Sequence, residues 1–345
     1  MKKIIYSLSV CLLATGAFAA EDALNRVLPL LQKNYRTAED TRQVLQVFRT
    51  AQQADVIFAA GASLVKTPPS AEQENALFTL LTDTQNPLKQ VFCAVIITAM
   101  GGTYEELIPL LQNALNGKDP LLRAYAAAAY TLLRPQDASY TADVIRLYIF
   151  DPSLAARALN LVSATDQSPF KLLKQASSNT DEQVRAASAA WLSDLHTQQA
   201  AQQLLKMAKK ENAPSVQAAL ARGLAAQAQY TLPQLTKGLY KSYRSAYANT
   251  CALSLGFMTG NATEVLRQAL NTTRPNARIN ASRAAAYMAN VLASPEGFAY
   301  SSDRSFDIHL LKGLIAPLNL IAQTGNDTER TYADNALRQI EKLME

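Results

Sequence analysis

Residues 119–133 read DPLLRAYAAAAYTLL. An aspartate opens the stretch, proline follows, and Leu122-Arg123 lead into a run of alanines. Aspartate is a good helix N-cap, and proline at the first helical position costs nothing because that N–H has no intrahelical partner. Alanine is the best helix former. The stretch therefore predicts a helix that begins at its own first residues. The same phrase returns at 151 (DPSLAARALNLV) and 181 (DEQVRAASAAWLSDL). Weaker copies start at 86 (NPLKQVFCAVIITA), 213 (APSVQAALARGLAA) and 276 (NARINASRAAAYMA). A degenerate copy fits at 240, with Tyr243-Arg244 in the apolar-basic places, and earlier ones fit at 53 and 20. The chain thus repeats about every 32 residues, the mark of a stacked array.

Between the phrases lies a second helical pattern, at 104–115, 138–148, 169–173, 198–207 and 262–270, with apolar residues at helical spacing. Turn residues sit at the joins: Gly101-Gly102, Asn116-Gly117, Pro135, Asn179, Asn212 and Gly260-Asn261. One unit is helix, turn, helix, loop. A single pair cannot bury its apolar face, whereas stacked pairs make one continuous core. The expected fold class is all-α.

The pattern at Asp181, Val184, Arg185, Ala186, Ala187, Ala189, Ala190 and Leu192 resembles the first helix of a HEAT repeat in its short bacterial form. That resemblance implies a HEAT-like right-handed α-solenoid, a superhelix of about nine stacked helix pairs forming a single array over residues 20–345. It also implies that Arg123 and Arg185 tie adjacent units together by hydrogen bonding across the turn, and that second helices line the binding surface. The tetratricopeptide Trp-Leu-Gly-Tyr pattern and the ankyrin Thr-Pro-Leu-His motif are missing. The last part departs from the period: an irregular loop at 293–306, a long apolar helix at 308–322 and a C-terminal capping helix at 328–344 are expected.

Residues 1–19 read as a cleaved signal peptide: Lys2-Lys3, an uncharged apolar stretch, then Ala17-Phe18-Ala19 before acidic Glu21-Asp22. A lipoprotein reading at Cys11 is disfavoured by bulky Val10. The expected location is periplasmic or secreted, from a bacterial source, and no later stretch is expected to span a bilayer. Glycine (12) and proline (14) are scarce and hydrophobic residues make up 49%, which excludes disorder as the dominant state and excludes collagen; three cysteines exclude a disulfide scaffold. Cys93 and Cys251 fall in first helices of distant units, so both are expected reduced and buried despite export.

Chemistry-bearing patterns are sparse. The only histidines, His196 and His309, read as surface residues; no metalloprotease, serine-hydrolase, phosphate-loop or dinucleotide motif occurs. No enzyme activity, metal or cofactor is expected, and Trp191 reads as core. Charge is more informative. Residues 206–283 hold eleven Lys/Arg against Glu211 and Glu264, a net +9 in a chain of net +5. Tyrosines interleave, with Tyr240, Tyr243 and Tyr247 spaced for one helix face. One reading is a solvated outer face. The other is a binding surface made by Lys206, Lys210, Lys237, Tyr240, Lys241, Tyr243 and Arg244, with Phe298 and Tyr300 as a second edge. The expected function is a non-enzymatic binding or scaffold protein whose partner is another protein, acidic in character, with no nucleic acid because export removes it. The alternatives are an enzyme on a HEAT-like fold, of lyase or glycosylase type, and a binder of anionic glycan or lipid.

Overall fold

The computed structural model describes residues 29–30, 37–164, 168–295 and 299–345. The signal peptide and Phe298 lie outside the described residues. Every regular element among the described residues is helical. The helices divide into two compact units, one ending at Leu172 and one beginning at Leu173.

In the first unit, α1 is Ala38–Thr50, α2 Ala54–Lys66, α3 Ala71–Asp83, α4 Pro87–Ala99, α5 Ile108–Leu115, α6 Pro120–Leu133, α7 Thr141–Leu147 and α8 Pro152–Ser163. Helix α9, Pro169–Ala176, holds the division point. In the second unit, α10 is Glu182–Asp194, α11 Gln198–Ala208, α12 Pro214–Ala226, α13 Ala228–Leu239, α14 Ala246–Phe257 and α15 Thr263–Leu270. It continues with α16 Pro275–Ala293, α17 Arg304–Lys312, α18 Ile315–Thr324 and α19 Asp327–Met344.

The phrase starts expected at 53, 86, 119, 151, 181 and 213 are the helix N-caps. The one at 276 lies inside its helix, which begins at Pro275 after Arg274, and the one at 20 lies outside the described residues. Asn86 Oδ1 accepts from the N–H groups of Leu88 and Lys89, Asp119 from Leu121 and Leu122, Asp151 from Leu154, and Asp181 from Gln183. The copy placed at 240 is corrected: its helix begins at Ala246, capped by Ser245 Oγ, which accepts from Ala248 N–H. With that change the first helices start at 54, 87, 120, 152, 182, 214, 246 and 275. The predicted 308–322 helix is two helices, α17 and α18, broken at Gly313-Leu314. By length and composition alone the stretch Arg304–Thr324 is long and apolar enough to cross a membrane, with an 18-residue window of mean hydropathy 1.2.

The first helices form a row in each unit: α2, α4, α6 and α8 pack in succession, and so do α10, α12, α14 and α16. The second helices α3, α5, α11, α13 and α15 each lie on the first helix that follows. Small residues allow this. In α6 the run Ala126–Ala127–Ala128–Ala129 is fully buried, so helix axes approach to about 8–10 Å. Helix α19 packs along α16 and occupies the next place in the second row.

Helix C-termini leave carbonyls without intrahelical partners. Here side chains from a later helix or helix junction satisfy several of them. Lys89 Nζ donates to Arg49 O (2.8 Å), Arg157 Nη1 to Ala99 O (2.9 Å), Gln227 Nε2 to Leu192 O (2.9 Å) and Asn280 Nδ2 to Leu239 O (2.8 Å). Trp191 is buried, and Cys93 and Cys251 are free and fully buried.

Candidate functional site

Two hollows open on the second unit. The first, about 760 Å³, lies between the loop after α9 and helices α10 and α11. Its floor is an ion pair. Arg185 Nε donates to Glu211 Oε2 (2.7 Å) and Nη2 to Oε1 (3.1 Å), while Nη1 donates to the carbonyls of Asn179 and Thr180. Burial works against the Glu211 carboxylate, but Arg185 and the N–H groups of Ala213 and Asn212 outweigh it, and its pKa falls below the ordinary value. Lys206, Lys209 and Lys210 line the hollow and are exposed. Arg185 thus makes the cross-turn bonds the sequence resemblance implied for it. Arg123 donates to Asp143 at 3.0 Å, linking α6 to α7 within one helix pair rather than tying adjacent units as the resemblance implied.

The second hollow is a groove of about 690 Å³ lined by α14, α16, α19 and the turn before α14. Its lining is aromatic, amide and guanidinium, with no carboxylate among the lining residues. Arg283 holds its centre. Nη1 donates to Tyr243 O (3.2 Å) and Nη2 to Tyr332 Oη (3.0 Å), and the guanidinium carbon stands 4.9 Å from the Tyr332 ring centroid. Tyr243 and Tyr332 meet edge-on, with centroids 6.2 Å apart. Arg244 Nε donates to Tyr243 Oη (3.0 Å). Tyr287 Oη donates to Asn249 Oδ1 (3.0 Å), and burial raises the Tyr287 pKa.

The predicted site residues do not form one patch. Lys206 and Lys210 belong to the first hollow, Tyr243 and Arg244 to the second, and Lys237, Tyr240 and Lys241 to neither. Tyr240, Tyr243 and Tyr247 do not share a helix face: Tyr240 closes α13, Tyr243 sits in a turn and Tyr247 is in the first turn of α14. Ser245 caps α14, so the chain cannot be helical through 241–245. Tyr240 is half-buried with Arg274 over its ring at 5.4 Å. Tyr300 packs on Phe257, centroids 4.9 Å apart. His196 and His309 are exposed.

Sequence reasoning missed Tyr287, Asn290, Tyr332 and Asn335. A signal was present: Tyr287–Leu292 and Tyr332–Leu337 both read Tyr-x-x-Asn-x-Leu. The spacing puts Tyr and Asn one helical turn apart on one face. Asn290 and Asn335 have no side-chain hydrogen-bond partner among the described residues. The groove is lined by first helices and α19, whereas the resemblance implied second helices.

No family model matches the chain, and no curated protein matches it. Among solved structures it is similar to the X-ray structure of Escherichia coli YibA, at 13% identity and a TM-score of 0.34, over 90% of this chain and 99% of that one.

Proposed function

We propose that the chain is an exported, non-enzymatic binding protein, a HEAT-like right-handed array whose second unit receives an acidic protein. One observation carries this reading. Within residues 206–283 the two carboxylates are already engaged, Glu211 by Arg185 and Glu264 by Arg267. Lys206, Lys209, Lys210, Lys237, Lys241 and Arg244 are exposed and make no ion pair among the described residues. Uncompensated positive charge on one stretch attracts an anionic partner and speeds encounter.

Binding of the purified protein to immobilised acidic hexapeptides, against neutral ones, tests this. Acidic peptides should bind preferentially and weaken as salt rises, because exposed charges are screened within about 8 Å at physiological ionic strength. Changing Lys206, Lys210, Lys237 and Lys241 together to Glu should abolish the preference. Equal affinity in that variant, with helicity intact, overturns the reading. Export is tested separately by the mass of the protein recovered from the periplasm, which should begin at Ala20.

A further inference from the structure

We infer that the α14–α16–α19 groove is a docking site for an extended acidic peptide segment held by its main chain, an inference that rests on the acidic-protein reading above. The motif Tyr-x-x-Asn-x-Leu occurs on α16 and again on α19, and the Tyr and Asn of both copies line the groove. The Tyr members are anchored: Tyr287 on Asn249, Tyr332 on Arg283 and Tyr243. The Asn members, Asn290 and Asn335, are left without protein partners among the described residues. A primary amide carries one acceptor and two donors, the complement of a peptide group's N–H and C=O.

The two amides sit on adjacent helices, which pack about 8–10 Å apart. Both line one groove, so a single extended segment crossing it meets the two amides at two of its peptide groups. Arg244 spends Nε on Tyr243 Oη and leaves its two terminal nitrogens without an acceptor among the described residues. A guanidinium edge of that kind takes a carboxylate. Tyrosine rings supply rigid apolar walls beside it. The chemistry favours a peptide over a glycan. The groove holds no carboxylate, so it lacks the charged acceptor that binds a pair of sugar hydroxyls most strongly.

The test titrates the full chain with end-capped acidic hexapeptides carrying Asp or Glu at alternate positions, with their main-chain N-methylated forms, and with a triuronic acid of equal charge. The variants are Asn290→Ala, Asn335→Ala and the Lys206/Lys210/Lys237/Lys241→Glu set. Both asparagines are outside the buried core, so thermal melts should match the parent. The expected result is about 5- to 30-fold weaker peptide binding for each Asn variant, one to two neutral hydrogen bonds apiece. N-methylation should abolish binding, and the uronic acid should not compete. If acidic peptides bind and respond to the lysine changes but not to the Asn changes or N-methylation, the groove is overturned while the basic-surface reading stands. If only the uronic acid binds, or nothing binds, both fall.

Discussion

Asp151 shows how a capping residue becomes a buried charge. One carboxylate oxygen caps α8 at 3.0 Å from Leu154 N, while the other has no hydrogen-bond partner. The residue is 1% exposed, and burial raises its pKa. The folded chain therefore holds this proton more tightly than the unfolded chain. Stability from this group is full below the ordinary carboxylate pKa and is lost as pH rises through the raised value. Asp151→Asn keeps a capping oxygen, as Asn86 does in α4, and removes the charge. Thermal melts from pH 3 to 8 should show the variant at least as stable at pH 7, with the difference vanishing in acid. Cys93 and Cys251 illustrate the same force on thiols. Burial pushes both up to about 12. Since the thiolate is the nucleophile, iodoacetamide at pH 7.5 should leave both unlabelled in the native protein and label both in guanidinium. Their burial was legible because each falls inside a first helix of the repeat, Cys93 among Val91, Phe92, Ala94 and Val95 and Cys251 beside Ala252 and Leu253.

At the scale of elements, helix contacts rest on small residues and on cross-helix hydrogen bonds. A Cβ added at Gly256 of α14 would stand 2.6 Å from Tyr287 Cβ and 3.1 Å from Met288 N on α16. Backbone cannot retreat as a flexible side chain can. Gly256→Ala should therefore destabilise by about 1–3 kcal/mol in urea melts through overpacking, even though Ala is the better helix former by about 1 kcal/mol. Arg185 joins the loop after α9 to the start of α12 through Glu211. Removing it leaves the Glu211 carboxylate, 8% exposed, without its guanidinium. Arg185→Gln should cost on the order of 3 kcal/mol. The helix starts at 86, 119, 151, 181 and 213 were readable because cap and proline are local signals. The start at Ala246 was misread because Tyr243-Arg244 imitate the apolar-basic pair, while the deciding residue is the Ser245 cap.

At the scale of the molecule, α19 completes the second row. It buries Ala333, Ala336 and Ile340 and brings Tyr332 and Asn335 to the groove. Ending the chain at Gly325 uncovers the small-residue face of α16. That truncation should lower the melting temperature and raise the aggregation tendency, measurable by light scattering, because an array end needs a polar outer face. A milder form, Ile340→Ala at a position 1% exposed, should cost about 2–4 kcal/mol.

By itself the sequence determined the all-helical class, the period, most helix starts and the burial of Trp191 and both cysteines. These follow from capping chemistry, helix propensity and apolar spacing, all of which act within one or two turns of chain. Tertiary structure decided which residues share a hollow. Tyr287 and Tyr332 belong to helices separated by an irregular loop and two further helices, and only the pairing of α16 with α19 brings their motifs together. It also divided the basic residues, sending Lys206 and Lys210 to one hollow and Arg244 to another. A run of charges in sequence carries no record of which side of a turn each residue leaves from. That depends on where the helices stop and start, and at 240–246 the new start is set by one serine hydroxyl, the Ser245 cap of α14.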